Sequence, residues 1–167
     1  LLSADALFNA QFIYVSSDVA ADFTAQEKAN FGAYLRSGGF AFIDNGAPDK
    51  AGSAVEYSLQ KMLTDALGAD AVIRPIPADH AIYHSLFDFQ GPPTGQTGEA
   101  SLKRFQEKKA LQGIWIGKRL AAVYSDFGHG YRWVTPDRSE PQVKLGVNLV
   151  VYALLQENGM MTGNAKK

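Results

Sequence analysis

Two short runs constrain this chain more than anything else in it: Phe12–Val15 and Phe40–Ile43 are apolar throughout, without alternation. A strand with one wet face alternates; a strand apolar on both faces must be covered on both. Between the two runs lies a helix punctuated at both ends. Thr24 stands three residues before Glu27, the spacing of a capping box. Phe31, Tyr34 and Leu35 form an apolar stripe at helical spacing, and Gly38–Gly39 supplies the turn that ends it. Strand, capped helix and strand in this order predict a right-handed crossover between parallel strands. Ser16 and Asp44 then leave the same edge of the sheet.

The pattern continues beyond this unit. Ser53 with Glu56 predicts a second capping box, ahead of Val55, Leu59, Met62, Leu63 and Ala66, and Gly68 closes that helix. Ala71–Ile76 reads as a third, weaker strand that Pro75 pushes to an edge or an end. Pro77 and Asp79 predict a loop entering a short helix capped by Asp79. Gly91–Ala100, with two prolines and three glycines, reads as a long loop. Ile114–Ile116 and Leu120–Tyr124 flank Gly117–Lys118, a glycine-first turn that fits a two-residue hairpin. Ser139 with Gln142 predicts a third capping box. The last helix is apolar nearly all round, which predicts a core helix burying Val147, Val150, Val151, Leu154 and Leu155. The sum is one domain over residues 1–167 with a tail at 160–167. Its class is α/β: a three-layer sandwich with a mostly parallel, flavodoxin-like sheet and a local antiparallel hairpin.

Composition removes whole chemistries. The chain contains no cysteine, which excludes disulfide scaffolds, thiolate metal sites, redox pairs and any cysteine nucleophile. Sixteen basic residues against 17 acidic ones give a net charge of −1, so no nucleic-acid partner is expected. No apolar run is long enough to span a membrane. The chain opens on Leu1 rather than Met. We therefore expect a piece or processed part of a longer protein, with any targeting or membrane segment upstream and the localisation unreadable.

Several stretches carry a resemblance. Tyr34–Gly39 leading into Phe40–Asp44, then Asp79-His80-Ala81-Ile82-Tyr83, Gly113-Ile114-Trp115 with Arg119-Leu120-Ala121, and Gly146–Leu154 follow one another in a recognisable order. The set resembles an uncharacterised bacterial domain family with a class I glutamine amidotransferase-like fold, akin to trehalose-utilisation-type domains. The resemblance runs from about Leu7 to Leu155. It implies the fold, a further strand and loop upstream, and no assigned activity. Amidotransferases place a cysteine on a tight strand-to-helix turn. The matching turn here holds Asp44 and Asn45, so glutamine hydrolysis through a thioester is excluded.

The remaining candidates are polar residues at predicted strand ends and loops. In open parallel sheets ligands sit beyond the carboxyl ends of strands, which singles out Asp44, Asn45 and Ser16. His80 and His84 are four residues apart and form a candidate metal pair, although His-Glu-x-x-His is not completed. Asp126 and His129 follow the second hairpin strand, with glycines on both sides of the histidine. The catalytic candidates are thus Asp44, His80, Asp126 and His129, and the ligand-binding candidates Ser16, Asp44, Asn45 and His80. Lys103-Arg104 and Lys108-Lys109, answered by Glu107, read as a solvated helix face. Gly113–Arg119 is one residue short of a phosphate-binding loop and lies in a hairpin. Two functions follow. The first is a non-enzymatic binding or scaffold module without a cofactor, for a small molecule or a protein. The second is a cysteine-independent, metal-assisted hydrolase using Asp44, His80 and Asp126.

Overall fold

The computed structural model describes residues 2–48, 52–135, 139–157 and 159. Residues 160–167, read as a tail, lie outside them.

Helix α1 (Ala4–Phe8) precedes strand β1 (Phe12–Ser17), helix α2 (Ala25–Arg36) and strand β2 (Phe40–Asn45). β1 and β2 are parallel, with Ser16 opposite Asp44 and Ser17 opposite Asn45. The capping box that starts α2 is complete: Glu27 N donates to Thr24 Oγ1 at 3.2 Å and Thr24 N to the Glu27 carboxylate at 3.0 Å. Phe31, Tyr34 and Leu35 are its buried face. Arg119 supports the other end, its guanidinium donating to the carbonyls of Gly39 and Leu35, where a cation also suits the helix dipole. Helix α3 (Ala54–Leu67) follows, with Glu56 N donating to Ser53 Oγ. The Glu56 carboxylate accepts from Gly52 N rather than closing the box on Ser53.

After α3 the chain departs from a simple alternation. Strand β3 (Ala71–Pro75) does not join β2; it forms the far edge of the sheet. Strands β4 (Gln112–Ile116) and β5 (Arg119–Ser125), joined by a turn with Gly117 at φ 60°, insert between them. The order is β1-β2-β5-β4-β3. β2 and β5 are parallel, whereas β4 runs antiparallel to both β5 and β3. The sheet is therefore mixed, because the hairpin reverses the strand between β5 and β3. The edge position expected from Pro75 is the observed one.

Helices flank both faces. Phe31 and Leu35 of α2 and Leu59, Met62 and Leu63 of α3 pack on Ala41, Ile43, Ala122 and Tyr124. Leu145, Leu149 and Ala153 of helix α6 (Glu140–Leu155) pack on the opposite side against Phe40, Phe42, Leu120 and Val123. Alternation along β2 and β5 divides the two cores, so it also divides the polar residues that follow them.

Three local expectations change. The capping histidine is His80, not Asp79, and the element it opens is a single 3-10 turn, Ala81–Tyr83. The long loop ends at Gly98, because Glu99 and Ala100 begin helix α4 (Glu99–Lys108). Ser139 makes no side-chain cap; Gln142 instead donates to Thr94 O at 2.5 Å. The last helix also buries a different face. Gln142, Leu145, Asn148, Leu149 and Ala153 are buried, whereas Val147 and Val150 are 37% and 38% exposed and Leu155 71%. A helix apolar all round gives no periodic signal to say which side meets the sheet.

Candidate functional site

The carboxyl ends of β1, β2 and β5 hold two polar clusters, one on each face. Strand pleating separates them: Asp44 shares a face with Phe42, and its neighbour Asn45 with Ile43.

On the α6 face, Asp44 lies opposite Ser125 in the β2–β5 register. The short helix α5 (His129–Trp133) brings His129 beside both. Asp44, Ser125 and His129 are fully buried. His129 Nε2 is 3.0 Å from the Pro93 carbonyl and Nδ1 is 2.8 Å from Ser125 Oγ. A carbonyl only accepts, so Nε2 carries the proton and Nδ1 accepts from the serine hydroxyl. Burial holds the His129 pKa below its ordinary value, against the attraction of Asp44 and the Pro93 carbonyl. Asp44 Oδ2 accepts from Gly130 N at 2.8 Å and from Tyr14 Oη at 3.4 Å. Its Oδ1 has no hydrogen-bond partner and lies 3.9 Å from His129 Nδ1. Burial pushes the Asp44 carboxyl up, partly offset by His129 and the Gly130 N–H. Gly130 permits this approach, since a Cβ there would collide with the Tyr14 hydroxyl.

These three residues do not form a catalytic relay. A relay needs the nucleophile on one ring nitrogen and the orienting carboxylate on the other. Here Ser125 and Asp44 face the same Nδ1, and Nε2 is spent on a backbone carbonyl. Ser125 Oγ also accepts from Phe127 N at 3.1 Å, which pins the turn after β5.

On the α3 face, Asp126 is the centre. Its Oδ1 accepts from Tyr124 Oη at 2.6 Å and from Asn45 Nδ2 at 3.3 Å. Its Oδ2 pairs with Arg104 at 2.9 Å and with Lys108. Arg104 also pairs with Glu56, which ties α4 to α3 as well as to the strand end. Burial raises the Asp126 pKa, but the Lys108, Tyr124 and Arg104 bonds outweigh it and hold the group below the usual carboxylate range. The basic run is thus no solvated face at Arg104, whose side chain is 5% exposed. Sequence reasoning missed Arg104, Lys108 and Glu56. α4 turns polar residues inward, Ser101 and Arg104 among them, so no apolar stripe marks its buried side.

The loops meet through these side chains. Asn45 Oδ1 accepts from Ala47 N at 3.0 Å, and Gln96 Nε2 donates to Gly46 O at 2.8 Å. Gly95 passes against Phe127, where a Cβ would overlap its carbonyl.

The other candidates lie elsewhere. Ser16 is exposed and lines a cleft of about 430 Å³ with Leu2, Tyr14, Asp22, Phe23 and Glu27. The His80 ring packs 5.3 Å from Trp115 and 5.5 Å from Tyr152. Trp115 pairs with Leu120, and Tyr152 touches Phe40, so His80 sits at the end of the sheet away from Asp44. Its Nδ1 accepts from Ile82 N at 3.2 Å, and burial lowers its pKa. His84 bonds Asp88 at 3.1 Å and the Ala78 carbonyl at 3.0 Å, contacts that raise its pKa. His80 Nδ1 and both ring nitrogens of His84 are thus engaged by neighbours in their own loop. Among the described residues, no three His, Asp or Glu side chains are grouped to hold a metal ion.

Fold and site together define an α/β domain with a five-stranded mixed sheet, helices on both faces and buried polar clusters at the strand ends. The chain belongs to the family described as "Domain of unknown function (DUF4159)", which matches residues 1–154. No curated protein matches it. Among the described residues, no helix is long and apolar enough to cross a membrane.

Proposed function

We propose that this domain is a non-enzymatic binding or scaffold module on a three-layer, class I amidotransferase-like fold. One observation carries the reading. The residues standing where such a fold keeps its reacting groups (Asp44, Asn45, Ser125, Asp126 and His129) are buried and bonded to their own loops. A nucleophile has to meet its substrate. These side chains instead lock the turns after β2 and β5 and the segment around Pro93–Gln96. The ligand side of the domain is then the cleft at the end of β1. Ser16 and Asp22 give it a hydroxyl and a carboxylate, while the Glu27 carboxylate is already held by Thr24 and Leu2, which suits a polar small molecule.

The test is turnover. Wild type and Ser125→Ala are assayed with 4-nitrophenyl acetate, 4-nitrophenyl phosphate and glutamine. A binding module gives equal, background rates for both. Turnover that Ser125→Ala abolishes while its melting curve stays unchanged overturns the reading. The metal-assisted alternative requires saturable zinc or manganese binding by calorimetry that His80→Ala loses. The separation of His80 from Asp44 argues against it.

A further inference from the structure

Beside Asp126, on the α3 face, lies a cavity of about 260 Å³ that the loop-locking role of the cluster leaves unused. It sits by the carboxyl end of β5, next to the point where the chain changes face. The helix after β2, α3, covers one side of the sheet, and α6, after β5, covers the other. Open α/β sheets bind their ligands at such points. Asp126 is the buried end of the cavity, Leu63 and Ile73 give it an apolar side, and Lys108, Gln60 and Gln112 bring polar groups to it. Ile73 is 45% exposed, an apolar wall that the protein's own packing leaves open.

Hydrogen-bond capacity decides what fits there. The Asp126 carboxylate is full, since it accepts from Tyr124, Asn45, Arg104 and Lys108. Glu56 accepts from Gly52 N at 2.7 Å and from Gln60 Nε2 at 3.2 Å, and it pairs with Arg104. Lys108 is the most exposed member of the cluster, its side chain 36% accessible. An ammonium has three N–H donors. One goes to Asp126, and Glu56 Oε1 is 3.7 Å away, so at least one is left for a further acceptor. Gln60 has given its Nε2 to Glu56 and keeps its Oε1, and Gln112 adds a second amide. The charges of Glu56, Asp126, Arg104 and Lys108 cancel. The cavity thus presents donors and acceptors around a neutral cluster.

We propose that this cavity is a second ligand site, for a small uncharged molecule of the carboxamide class. The ligand carbonyl accepts from Lys108 Nζ, its N–H donates to the side-chain carbonyl of Gln60 or Gln112, and its apolar body covers Leu63 and Ile73. A carboxylate in the same place meets Asp126 and Glu56 behind Lys108, and a cation meets Lys108 and Arg104. Either adds an unbalanced charge to a neutral, largely buried cluster, which is costly. At about 30 Å³ for each water-sized group, the cavity takes a molecule of fewer than about ten non-hydrogen atoms. It shares no lining residue with the cleft at the end of β1. The proposal therefore goes beyond the binding-module reading and does not depend on it.

Titration of the full chain with isobutyramide, followed by backbone amide chemical shifts in NMR, tests the proposal. Saturable shifts are expected at Gln60, Ile73 and Gln112. Ile73→Trp fills the cavity from an exposed position and should abolish them. Lys108→Met should weaken binding by about tenfold, as the loss of one charged hydrogen bond does. Isobutyrate and isobutyramidinium have the shape of the amide with a negative or a positive charge, and both should bind more weakly. The absence of saturable shifts at these three amides overturns the proposal, and so does a binding curve that either variant leaves unchanged. Tighter binding of the anion or the cation overturns the ligand class. Should Lys108→Met fail to fold, Ile73→Trp decides alone, because the side chain it replaces is 45% exposed and lies outside the buried core.

Discussion

Asp44 and Asp126 sit at the ends of neighbouring strands, both buried, and their environments drive them in opposite directions. Asp126 has two cations and two further donors, so its folded pKa falls below the ordinary 3.8. Its contribution to stability is present above that value and is lost as pH falls through the folded pKa. Asp44 has one good donor in Gly130 N and an orphaned Oδ1, and its folded pKa is raised. It stabilises the fold when protonated and costs stability once pH rises through its folded value. Asp44→Asn keeps an acceptor for Gly130 and removes the disfavoured charge. At pH 7 it should leave stability within about 1 kcal/mol of wild type or increase it. Urea melts check this, and a loss above about 3 kcal/mol contradicts it. His129 adds a second pH signal. Its folded pKa lies below 6.5, so its stabilising effect is lost as pH falls from 6.5 toward that lower value. Melts between pH 7 and pH 5 should show this decline in wild type, and a shallower one in His129→Gln.

At the scale of elements, α6 separates a buried from an exposed apolar face. Leu149 is fully buried, and Leu149→Ala should cost about 2–5 kcal/mol. Val150→Ala, measured in dilute protein, should cost about 0.5 kcal/mol or less, as surface changes do. Equal losses at the two positions contradict the assignment of faces. The same helix also pins the loop before α4. Asn148 Oδ1 accepts from Leu86 N at 3.1 Å and Phe87 N at 2.8 Å, and Nδ2 donates to Phe87 O at 2.7 Å. Asn148→Ala strands these backbone groups and should cost about 1–3 kcal/mol, read by the same melts. A variant as stable as wild type shows that the loop is held by other contacts.

For the whole molecule, what the sequence made legible followed physical signal. β1 and β2 could be read because apolar strands bounded by Ser16–Asp18 and Asp44–Gly46 leave little else to build. The parallel pairing followed from the capped helix between them. The place of β3 was not legible, because no local feature says that the hairpin at Gly117–Lys118 will insert between β2 and β3. At the site, Asp44, Asn45, Asp126 and His129 were marked by their positions after strands. Arg104 and Glu56 were not, since an inward-facing ion pair has the pattern of a surface one until the fold is known. His80 drew attention as a histidine in a loop, yet it caps a 3-10 turn at the other end of the sheet. The buried clusters thus hold the loops of the strand ends in one arrangement, and the decisive variant is Asp126→Asn. It removes the carboxylate that joins Arg104, Lys108, Tyr124 and Asn45 without changing side-chain shape. Equilibrium urea unfolding at pH 7 should show a loss of about 1.5–3 kcal/mol at an unchanged denaturant slope, the cost of losing charged hydrogen bonds while Glu56 still pairs Arg104. A loss below about 1 kcal/mol would show that Asp126 does not hold these loops, and would contradict a structural role for the cluster.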